Sequence, residues 1–446
     1  MPRRLWSTMY RRRTAAAALL AATLLAACST ETRVDEGAGG TTPSSRVVDA
    51  PGTTVGTTVG TTPDDELVLG LLVPRSGQLA ELEDALVAPT ELAVRQINDA
   101  GGVDGREVRL VVADDGSDPD VARTSLDELI EGGAHAVIGP ASSTTTRGII
   151  DEIRAGGIPV CSGSAYAADL DEARTDGLLF RTAPPDELQA EALAGQIQAD
   201  GRTNVAILTR DDSYGDIMGD LVHEALGNAG VPVNIIVPHD PGGIGAKESV
   251  AQALQISPDA VVIVGFATDG EAVVRELVAA GQGPTTIGVY GTDGLRNAGF
   301  AAAVDADPSK VAGLSGVAPN PAPTGVTSPF NEAFAAVQVD GAAVDPVFSA
   351  HYWDCTNLLA LAALQAGSTD PTAMRDAFAA SFAGDTDCND FATCAAALAD
   401  GTTIHYRGAS STFDDWDGTQ PGHGAYLEWS YLPDGTLVTE TTQIDV

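Results

Sequence analysis

Short apolar runs alternate with helical patterns from residue 66 onward, and no other feature of the chain constrains its fold as strongly. Leu67–Val73 and Val108–Ala113 are predicted strands, and the segment between them places Leu86, Ala93 and Ile97 on one face of a helix. Strands that alternate with helices form parallel sheets covered by helices on both faces. We therefore predict an α/β fold.

The alternation falls into two sets that are separated by Thr182–Pro185, a stretch whose prolines favour an extended backbone. The predicted strands are Leu67–Val73, Val108–Ala113, His135–Ile138 and Ile158–Cys161 in the first set, and Val205–Thr209, Val233–Val237, Ala260–Val264 and Thr286–Tyr290 in the second. Two similar open sheets joined at such a crossover predict two lobes with a cleft between them. In such folds, ligands bind beyond the carboxyl ends of the strands.

The last third of the chain is predicted to hold Ala-rich helices and then a β-rich tail. The helices are predicted at Phe330–Val339, Phe348–Ala366 and Pro371–Phe382, and the strands at Ile404–Tyr406, Ala425–Tyr431 and Thr436–Thr439. Asp434-Gly435 between the last two strands predicts a hairpin turn.

The N-terminus has the pattern of an export signal. Five arginines precede the apolar stretch Ala15–Ala27, which is too short to span a membrane as a helix. The sequence Leu25-Ala26-Ala27-Cys28 resembles the lipobox of bacterial lipoproteins, which implies cleavage before Cys28 and a lipid on its sulfur; a signal-peptidase site beside an incidental cysteine is the alternative. We expect residues 1–27 to be a signal peptide and residues 28–64, rich in Gly, Thr and Pro, to be the lipid anchor and a flexible linker. The protein is then held on the outer face of the cytoplasmic membrane.

Charge and cysteine content limit the partners of the chain. A net charge of −38 disfavours nucleic-acid binding because such a field repels phosphate backbones. In an oxidising compartment, the four cysteines beyond Cys28 can form disulfides in three pairings. Cys388 and Cys394 are close in sequence, at a polar loop, and are the favoured pair; Cys161 with Cys355 is the possible second pair. Because no CxxC pair occurs and the histidines are scattered, we expect no metal site. We also expect that the protein has no cofactor and is a monomer.

The sequence carries no local motif of an enzyme. It lacks a GxSxG elbow, a GxxxxGK[ST] phosphate loop, an HExxH helix and a GxGxxG turn after a strand. The acidic pair Asp211-Asp212 and the group Asp414, Asp415 and Asp417 lack the spacing of calcium loops. We therefore expect a binding protein, with an extracellular hydrolase that pairs Asp293 with Asp212 as the alternative from another class.

Five segments together resemble one family. They are Gly70–Gly77, Ile97–Arg106, Asp114–Pro119, Val137–Ser143 and Asp212–Gly215. In their order and spacing the chain is similar to type I periplasmic binding proteins of the leucine/isoleucine/valine-binding family, the substrate-binding components of ABC importers. The resemblance implies two Rossmann-like lobes with parallel sheets, joined by three hinge crossovers around a ligand cleft. It places residues 65–183 plus 314–420 in the N-terminal lobe and 184–313 plus 421–446 in the C-terminal lobe, and it implies ABC permease subunits as partners.

The resemblance also implies a ligand site. Ser143, at the start of a helix predicted over Ser143–Ala155, and the backbone of Ser164 match positions that hold a ligand's carboxylate. Tyr166 stands where members that bind branched-chain amino acids carry threonine. In the second lobe, Tyr214 and Phe266 match aromatic positions and Asp293 an acidic one, an arrangement that suits an ammonium group.

These positions together imply a small zwitterionic ligand, a branched-chain or related amino acid. Tyr166 differs from the family pattern, and Leu82 stands where the family often has an aromatic lid. Receptors of the same fold for amides, urea, aromatic acids or short peptides therefore stay open as alternatives. Pro89 implies that the first helix either starts near this residue or is kinked there.

Overall fold

The computed structural model describes residues 66–171, 173–321, 323 and 328–446. The predicted signal peptide, the lipidation site Cys28 and the linker lie outside these residues. The strands are β1 (Leu67–Val73), β2 (Val108–Asp114), β3 (Ala136–Ile138), β4 (Val160–Ser162), β5 (Leu179–Arg181), β6 (Val205–Arg210), β7 (Val233–His239), β8 (Ala260–Val264), β9 (Gly288–Gly291), β10 (Leu314–Pro319), β11 (Gln338–Val339), β12 (Ala342–Ala343), β13 (Thr386–Cys388), β14 (Ile404–Tyr406), β15 (Ala425–Tyr431) and β16 (Leu437–Asp445). The α-helices are α1 (Glu83–Asp99), α2 (Pro119–Glu131), α3 (Ser143–Gly148), α4 (Ile150–Gly156), α5 (Asp186–Ala199), α6 (Ser213–Asn228), α7 (Ala246–Ala253), α8 (Ala267–Ala279), α9 (Phe300–Val304), α10 (Phe330–Ala335), α11 (Ser349–Ala366), α12 (Pro371–Phe378) and α13 (Phe391–Ala399).

Two sheets form the centres of two lobes, which confirms the predicted α/β fold. The first sheet has the strand order β2-β1-β3-β4-β5 and is parallel throughout. The second has the order β16-β15-β10-β9-β8-β6-β7, in which only the β10–β15 and β15–β16 pairs are antiparallel. In both lobes the strands are placed outward from β1 or β6 to either side, and the carboxyl ends of the parallel strands lie along one edge of each sheet.

The chain passes between the lobes three times: after β5, after β10 and before β15. Because β10 pairs with β9 and β15, the second crossover follows Pro319 and not the boundary at residue 314 that the resemblance implies. The hairpin of β15 and β16, with Gly435 at φ +83°, then completes the second sheet.

Several helix boundaries differ from the prediction for identifiable reasons. The helix predicted over Ser143–Ala155 is divided into α3 and α4 around Ile149. Gly148 allows α3 to approach α2 closely, since a Cβ at this position would lie 2.4 Å from Pro119. The helix predicted over Phe330–Val339 ends at Ala335 and is followed by the short strand β11.

Helix α1 begins at Glu83 and continues through Pro89, so it does not start near the proline. Pro89 has no N–H to donate to the carbonyl of Ala85 one turn earlier. The Ser349 hydroxyl of α11 lies 3.3 Å from that carbonyl and 3.3 Å from the carbonyl of Asp345, so the two acceptors share its proton. The packing of α11 on α1 therefore supplies part of the hydrogen bonding that the proline removes.

Helix α2 begins with a side-chain cap and a proline. The Asp118 carboxylate accepts the N–H groups of Asp120 and Val121 at 2.8 and 3.2 Å, and Pro119 occupies the first helical position. Leu126 is buried against the sheet, whereas Val121 in the first turn is 40% exposed.

Both cysteine pairs named in the sequence analysis are adjacent as disulfides in the structure. Cys161 in β4 joins Cys355 in α11, and Cys388 in β13 joins Cys394. Cys394 lies in α13, where the sequence analysis expected a loop. The first four turns of α11 are buried inside the N-terminal lobe.

Among the helices of the described residues, none has the length and apolar character needed to cross a membrane.

Candidate functional site

A cleft of about 570 Å³, part of it open to solvent, lies at the carboxyl ends of the parallel strands of both sheets. Its walls are formed by Leu79, Glu81, Leu82, Ala141, Ser142, Ser143, Ser164, Tyr166, Tyr214, Phe266, Asp293, Gly294, Arg296, Val347 and Phe348. The six residues predicted to bind the ligand are all among them, three from each lobe. The structure thus brings Ser143 and Asp293 to one cleft, and their contact with a ligand stays a prediction.

Ser143 lies at the start of α3, in the loop that follows β3. Its Oγ accepts the N–H of Ala167 at 3.1 Å, which leaves the hydroxyl proton free to donate into the cleft. Ser142 caps the helix by accepting the N–H of Thr145 at 3.0 Å. Because α3 is only six residues long, its dipole adds less than the long helix of the prediction would. The Ser143 hydroxyl is therefore the clearest donor on this wall.

Ser164 follows β4 and has a mainly structural set of contacts. Its hydroxyl donates to the carbonyl of Ala141 at 2.8 Å and lies 3.2 Å from the Tyr352 hydroxyl, so it fixes the loop that bears Tyr166. Its backbone N–H, the group predicted to meet the ligand, lies at 3.4 Å from Ser162 Oγ, the limit of a hydrogen bond. That N–H is therefore only weakly engaged by the protein.

Tyr166 and Asp293 meet across the cleft. The Tyr166 hydroxyl of the first lobe lies 2.7 and 2.8 Å from the two carboxylate oxygens of Asp293 in the second lobe. Gln189 of α5 donates its Nε2 to Asp293 Oδ1 at 2.7 Å. Burial raises the pKa of Asp293, and the bonds from Tyr166 and Gln189 oppose that rise. The acid predicted to receive an ammonium group is thus already bound by protein donors.

An aromatic pair forms the second-lobe wall. The Tyr214 and Phe266 rings are stacked with their centroids 5.1 Å apart, and the Tyr214 hydroxyl donates to Thr292 Oγ1 at 3.0 Å. Gly294 makes this packing possible, because a Cβ there would lie 2.7 Å from the Phe266 ring. The Arg210 guanidinium carbon lies 4.8 Å from the Phe266 centroid, in cation–π range.

Buried ion pairs hold Arg210 in place. Its guanidinium donates to Asp269 at 2.6 Å and to Asp212 at 2.5 Å, and Asp269 also contacts His239 at 2.7 Å. Asp212 further caps α6 by accepting the N–H of Gly215 at 3.0 Å. Asp212 therefore has a structural set of partners and is absent from the cleft walls, so the alternative hydrolase pair of Asp212 with Asp293 lacks support in this geometry.

Several residues of the site were not predicted from the sequence. Gln189 lies in α5, a helix for which no apolar periodicity was recognised. Arg296 follows Asp293 in the same loop, and its guanidinium donates to Asp345 of the first lobe at 2.5 Å. Glu81 also lines the cleft, and burial raises its pKa while a hydrogen bond from Asn297 opposes the rise. The nearness of Arg296 to Asp293 in sequence was the one signal that could have revealed it.

A second acid lies close behind Asp293. Asp186, the first residue of α5, is fully buried, and neither of its carboxylate oxygens has a hydrogen-bond partner among the described residues. Burial above all, and then the carboxylates of Asp293 and Glu187, raise the pKa of Asp186 well above its usual range. In the folded protein its neutral form is therefore favoured.

The acidic loops considered for calcium have other partners. Asp414 pairs with Arg407 at 2.7 Å, and Asp417 accepts the N–H groups of Thr419 and Gln420 in its own turn. Within the described ranges, no group of three or more His, Cys, Asp or Glu side chains is arranged to hold a metal ion.

Comparisons with known proteins point to one family. The family model described as "Periplasmic binding protein" matches residues 66–406. The Leu/Ile/Val-binding protein BraC3 of Rhizobium johnstonii is 28% identical over 239 residues, and the match spans 53% of this chain and 63% of that protein, so less than two thirds of the relative is covered.

The crystal structure of the leucine-binding protein LivK of Thermotoga maritima superposes with a TM-score of 0.68 at 17% identity, covering 85% of this chain and 98% of that one. A solute-binding protein of R. palustris, crystallised in complex with 4-hydroxybenzoate, gives a TM-score of 0.66 at 14% identity and covers 85% and 97%. At these identities the structural likenesses establish the fold alone.

Proposed function

The chain belongs to the periplasmic binding protein family, and from this membership we propose that it is an extracytoplasmic receptor that captures a small, amino acid-like ligand for an ABC importer by closing its two lobes. One observation carries the proposal: the six residues predicted from the sequence as ligand contacts, which are spread over 150 positions of the chain, line a single cleft between the lobes. The Leu/Ile/Val-binding name of BraC3 supports an amino acid-like ligand.

The cleft offers different chemistry at its two ends. The Ser143 hydroxyl can donate to a carboxylate, while Leu79, Leu82, Val347 and Phe348 offer apolar surface to the body of a ligand. Closure is driven by the contacts that a ligand makes with both lobes at once, because these contacts exist only in the closed form. We assign no chemical step to the site.

Export and lipid attachment at Cys28 complete the proposal. A flexible linker would let the folded lobes stand away from the membrane and meet the permease subunits that are the proposed partners. Mass spectrometry of the protein purified from membranes tests this part: a lipid-modified Cys28 at the N-terminus supports it, and an unmodified, unprocessed chain contradicts it.

A ligand panel tests the receptor itself. Purified protein is incubated with amino acids, amides, urea and aromatic acids, its melting temperature is recorded, and each compound is recovered and identified. A receptor at 100 times its Kd gains about 2.7 kcal/mol of stability, and the compound comes back unchanged. Chemical conversion of any compound would show that the protein is an enzyme and not a receptor. A folded protein that no compound stabilises also contradicts the proposal.

A receptor of the same fold for another ligand is the second candidate. The bond between Tyr166 and Asp293 favours it, since an α-amino acid would have to take the place of this hydroxyl to reach the carboxylate. The structural neighbour in complex with 4-hydroxybenzoate supports aromatic acids within this candidate. The same panel separates the two.

A further inference from the structure

Protein donors engage both carboxylate oxygens of Asp293. The Tyr166 hydroxyl lies 2.7 and 2.8 Å from the two oxygens, and Gln189 Nε2 donates to Oδ1 at 2.7 Å. Asp293 is also only 6% exposed, so little of its carboxylate is open to a further donor. An incoming ammonium group would therefore have to compete with donors that are already in place.

The Tyr166 hydroxyl is not easily displaced. The side chain is 5% exposed, and its ring packs against Phe348 with a centroid distance of 6.0 Å. Its loop is fixed by the bonds of Ser164 described above and by the N–H of Ala167 on Ser143. Moving the ring would disturb both sides of the cleft, and it would leave the phenol without a partner in a buried place.

The remaining groups of the cleft suit a ligand with a carboxylate and an apolar body. The Ser143 proton is free to donate, whereas the Arg296 guanidinium, which also lines the cleft, donates to Asp345. Leu79, Leu82 and Val347 are apolar and lie on the same walls. An ammonium group, by contrast, finds Asp293 engaged, and Glu81, the other acid of the lining, already accepts a hydrogen bond from Asn297.

Resting on the proposed receptor function, we propose that the ligand is a small carboxylic acid that lacks an α-ammonium group, and that Tyr166 takes the place of that group at Asp293. The inference selects the second candidate, a receptor for a ligand other than an amino acid, for the same cleft. The phenol donates to the carboxylate in every liganded molecule, so the protein itself satisfies the acid that a zwitterion would need.

Matched pairs of probes test the inference by calorimetry. The pairs are 4-methylpentanoate with L-leucine, and 3-phenylpropanoate with L-phenylalanine, which differ only by the α-ammonium group. We expect at least one acid to bind with a Kd at least tenfold lower than that of its amino acid. Tighter binding of the amino acids overturns the inference and leaves the receptor function standing. If none of the four probes binds, the inference is overturned. If, in addition, no compound of the wider panel raises the melting temperature, the proposed function is contradicted as well.

A variant gives a second, independent measurement. Tyr166→Phe removes the donor and keeps the ring, so it frees an acceptor on Asp293, and the preference for the acid over its amino acid should fall at least tenfold. Tyr406→Phe is the matched control, because it removes a bond of 2.7 Å from another buried tyrosine to Asp354, away from the cleft. It should leave the preference unchanged. An unaltered preference in folded Tyr166→Phe protein overturns the role of Tyr166.

Discussion

Two buried aspartates of the C-terminal lobe show how partners decide the cost of a carboxyl group. Asp269 is held by Arg210 and His239, whereas Asp186 has no hydrogen-bond partner within the described chain. A buried polar group without a hydrogen-bond partner lowers the free energy of unfolding by about 1–3 kcal/mol. Removing one member of a buried ion pair lowers it further, because the other charge then stays buried without compensation. The two residues should therefore respond in opposite ways to the same substitution.

We predict that Asp186→Asn stabilises the protein at neutral pH. The groups that act on Asp186 are Asp293, Glu187 and Asp169, which raise its pKa together with burial, and Arg181, which lowers it. The pKa of Asp186 is raised in the folded state, so the folded protein keeps a proton that the unfolded chain loses above about pH 4. The free energy of unfolding therefore falls as the pH rises from about 4 toward the pKa of the folded state. The variant removes this loss and should gain about 1–3 kcal/mol at pH 7, with a flatter pH dependence.

Urea unfolding at pH 5 and pH 7 measures the effect. Asp269→Asn is the matched control and should lose stability, by up to about 3–5 kcal/mol, because it removes the fully buried charge that pairs with Arg210 and leaves only Asp212 to balance the guanidinium. A wild-type protein that is more stable than Asp186→Asn at pH 7 contradicts the prediction.

The site could be predicted residue by residue only where a local pattern marked it. The resemblance named Ser143, Tyr214 and Asp293 because short segments around them match the family. The bond between Tyr166 and Asp293 joins residues 127 positions apart, and no spacing in the sequence reveals it. Pairing across a cleft is decided by tertiary packing, so the use of Asp293 by the protein itself could not be foreseen.

At the scale of elements, periodic patterns predicted most strands and failed where polar residues are buried. β1 and β8 have the predicted bounds, because apolar runs of this length mark strands inside a sheet. Helix α5 was missed because its buried positions include Asp186, Gln189 and Gln196, which hide its apolar periodicity. Its polar interior is also what brings Gln189 to Asp293.

We predict that the two cysteine pairs differ in their contribution to stability. The chain-entropy model assigns about 5 kcal/mol to the Cys161–Cys355 link, which spans 194 positions, and about 2 kcal/mol to the Cys388–Cys394 link, which spans 6. The double variants Cys161→Ala/Cys355→Ala and Cys388→Ala/Cys394→Ala should show this order in denaturant unfolding, and each serves as the control for the other. Equal losses, or four free thiols found by mass spectrometry of the native protein, contradict it.

A second element-scale prediction concerns the proline in α1. Ser349→Ala should cost about 1 kcal/mol or more, because it leaves the buried carbonyl of Ala85 without a donor. Pro89→Ala restores a backbone N–H one turn after Ala85, so Ser349→Ala should cost less in that background. A double-mutant cycle by urea unfolding measures this coupling, and strict additivity of the two changes contradicts it.

At the scale of the whole molecule, the lobes are joined by contacts that need no ligand. Tyr166 with Asp293 has been described, and Arg296 with Asp345 is a second link. In the proposed mechanism the lobes separate at the three crossovers, so these contacts would set the balance between open and closed forms. A ligand then has to add only the remaining part of the closing free energy, and its apparent Kd depends on the fraction of protein that is already closed.

Gln78 offers the cleanest test of this balance, because it is exposed, is absent from the cleft walls and lies in the first lobe, where it accepts a hydrogen bond from Arg210 of the second. We predict that Gln78→Ala shifts the ligand-free protein toward the open form. A bond to a charged donor contributes about 1.5–3 kcal/mol when buried and less at this exposed residue, so about 1 kcal/mol, or a fivefold change in the closing equilibrium, is expected.

Small-angle scattering should show a larger radius of gyration without ligand and the wild-type value at saturation, and the Kd should rise three- to tenfold because only the closed form binds tightly. Gln252→Ala, on the exposed surface of α7, is the control for removal of a glutamine and should change neither quantity. If Gln78→Ala matches this control in both radius and affinity, the contacts between the lobes do not govern closure, and the ligand alone must supply the free energy that brings the lobes together.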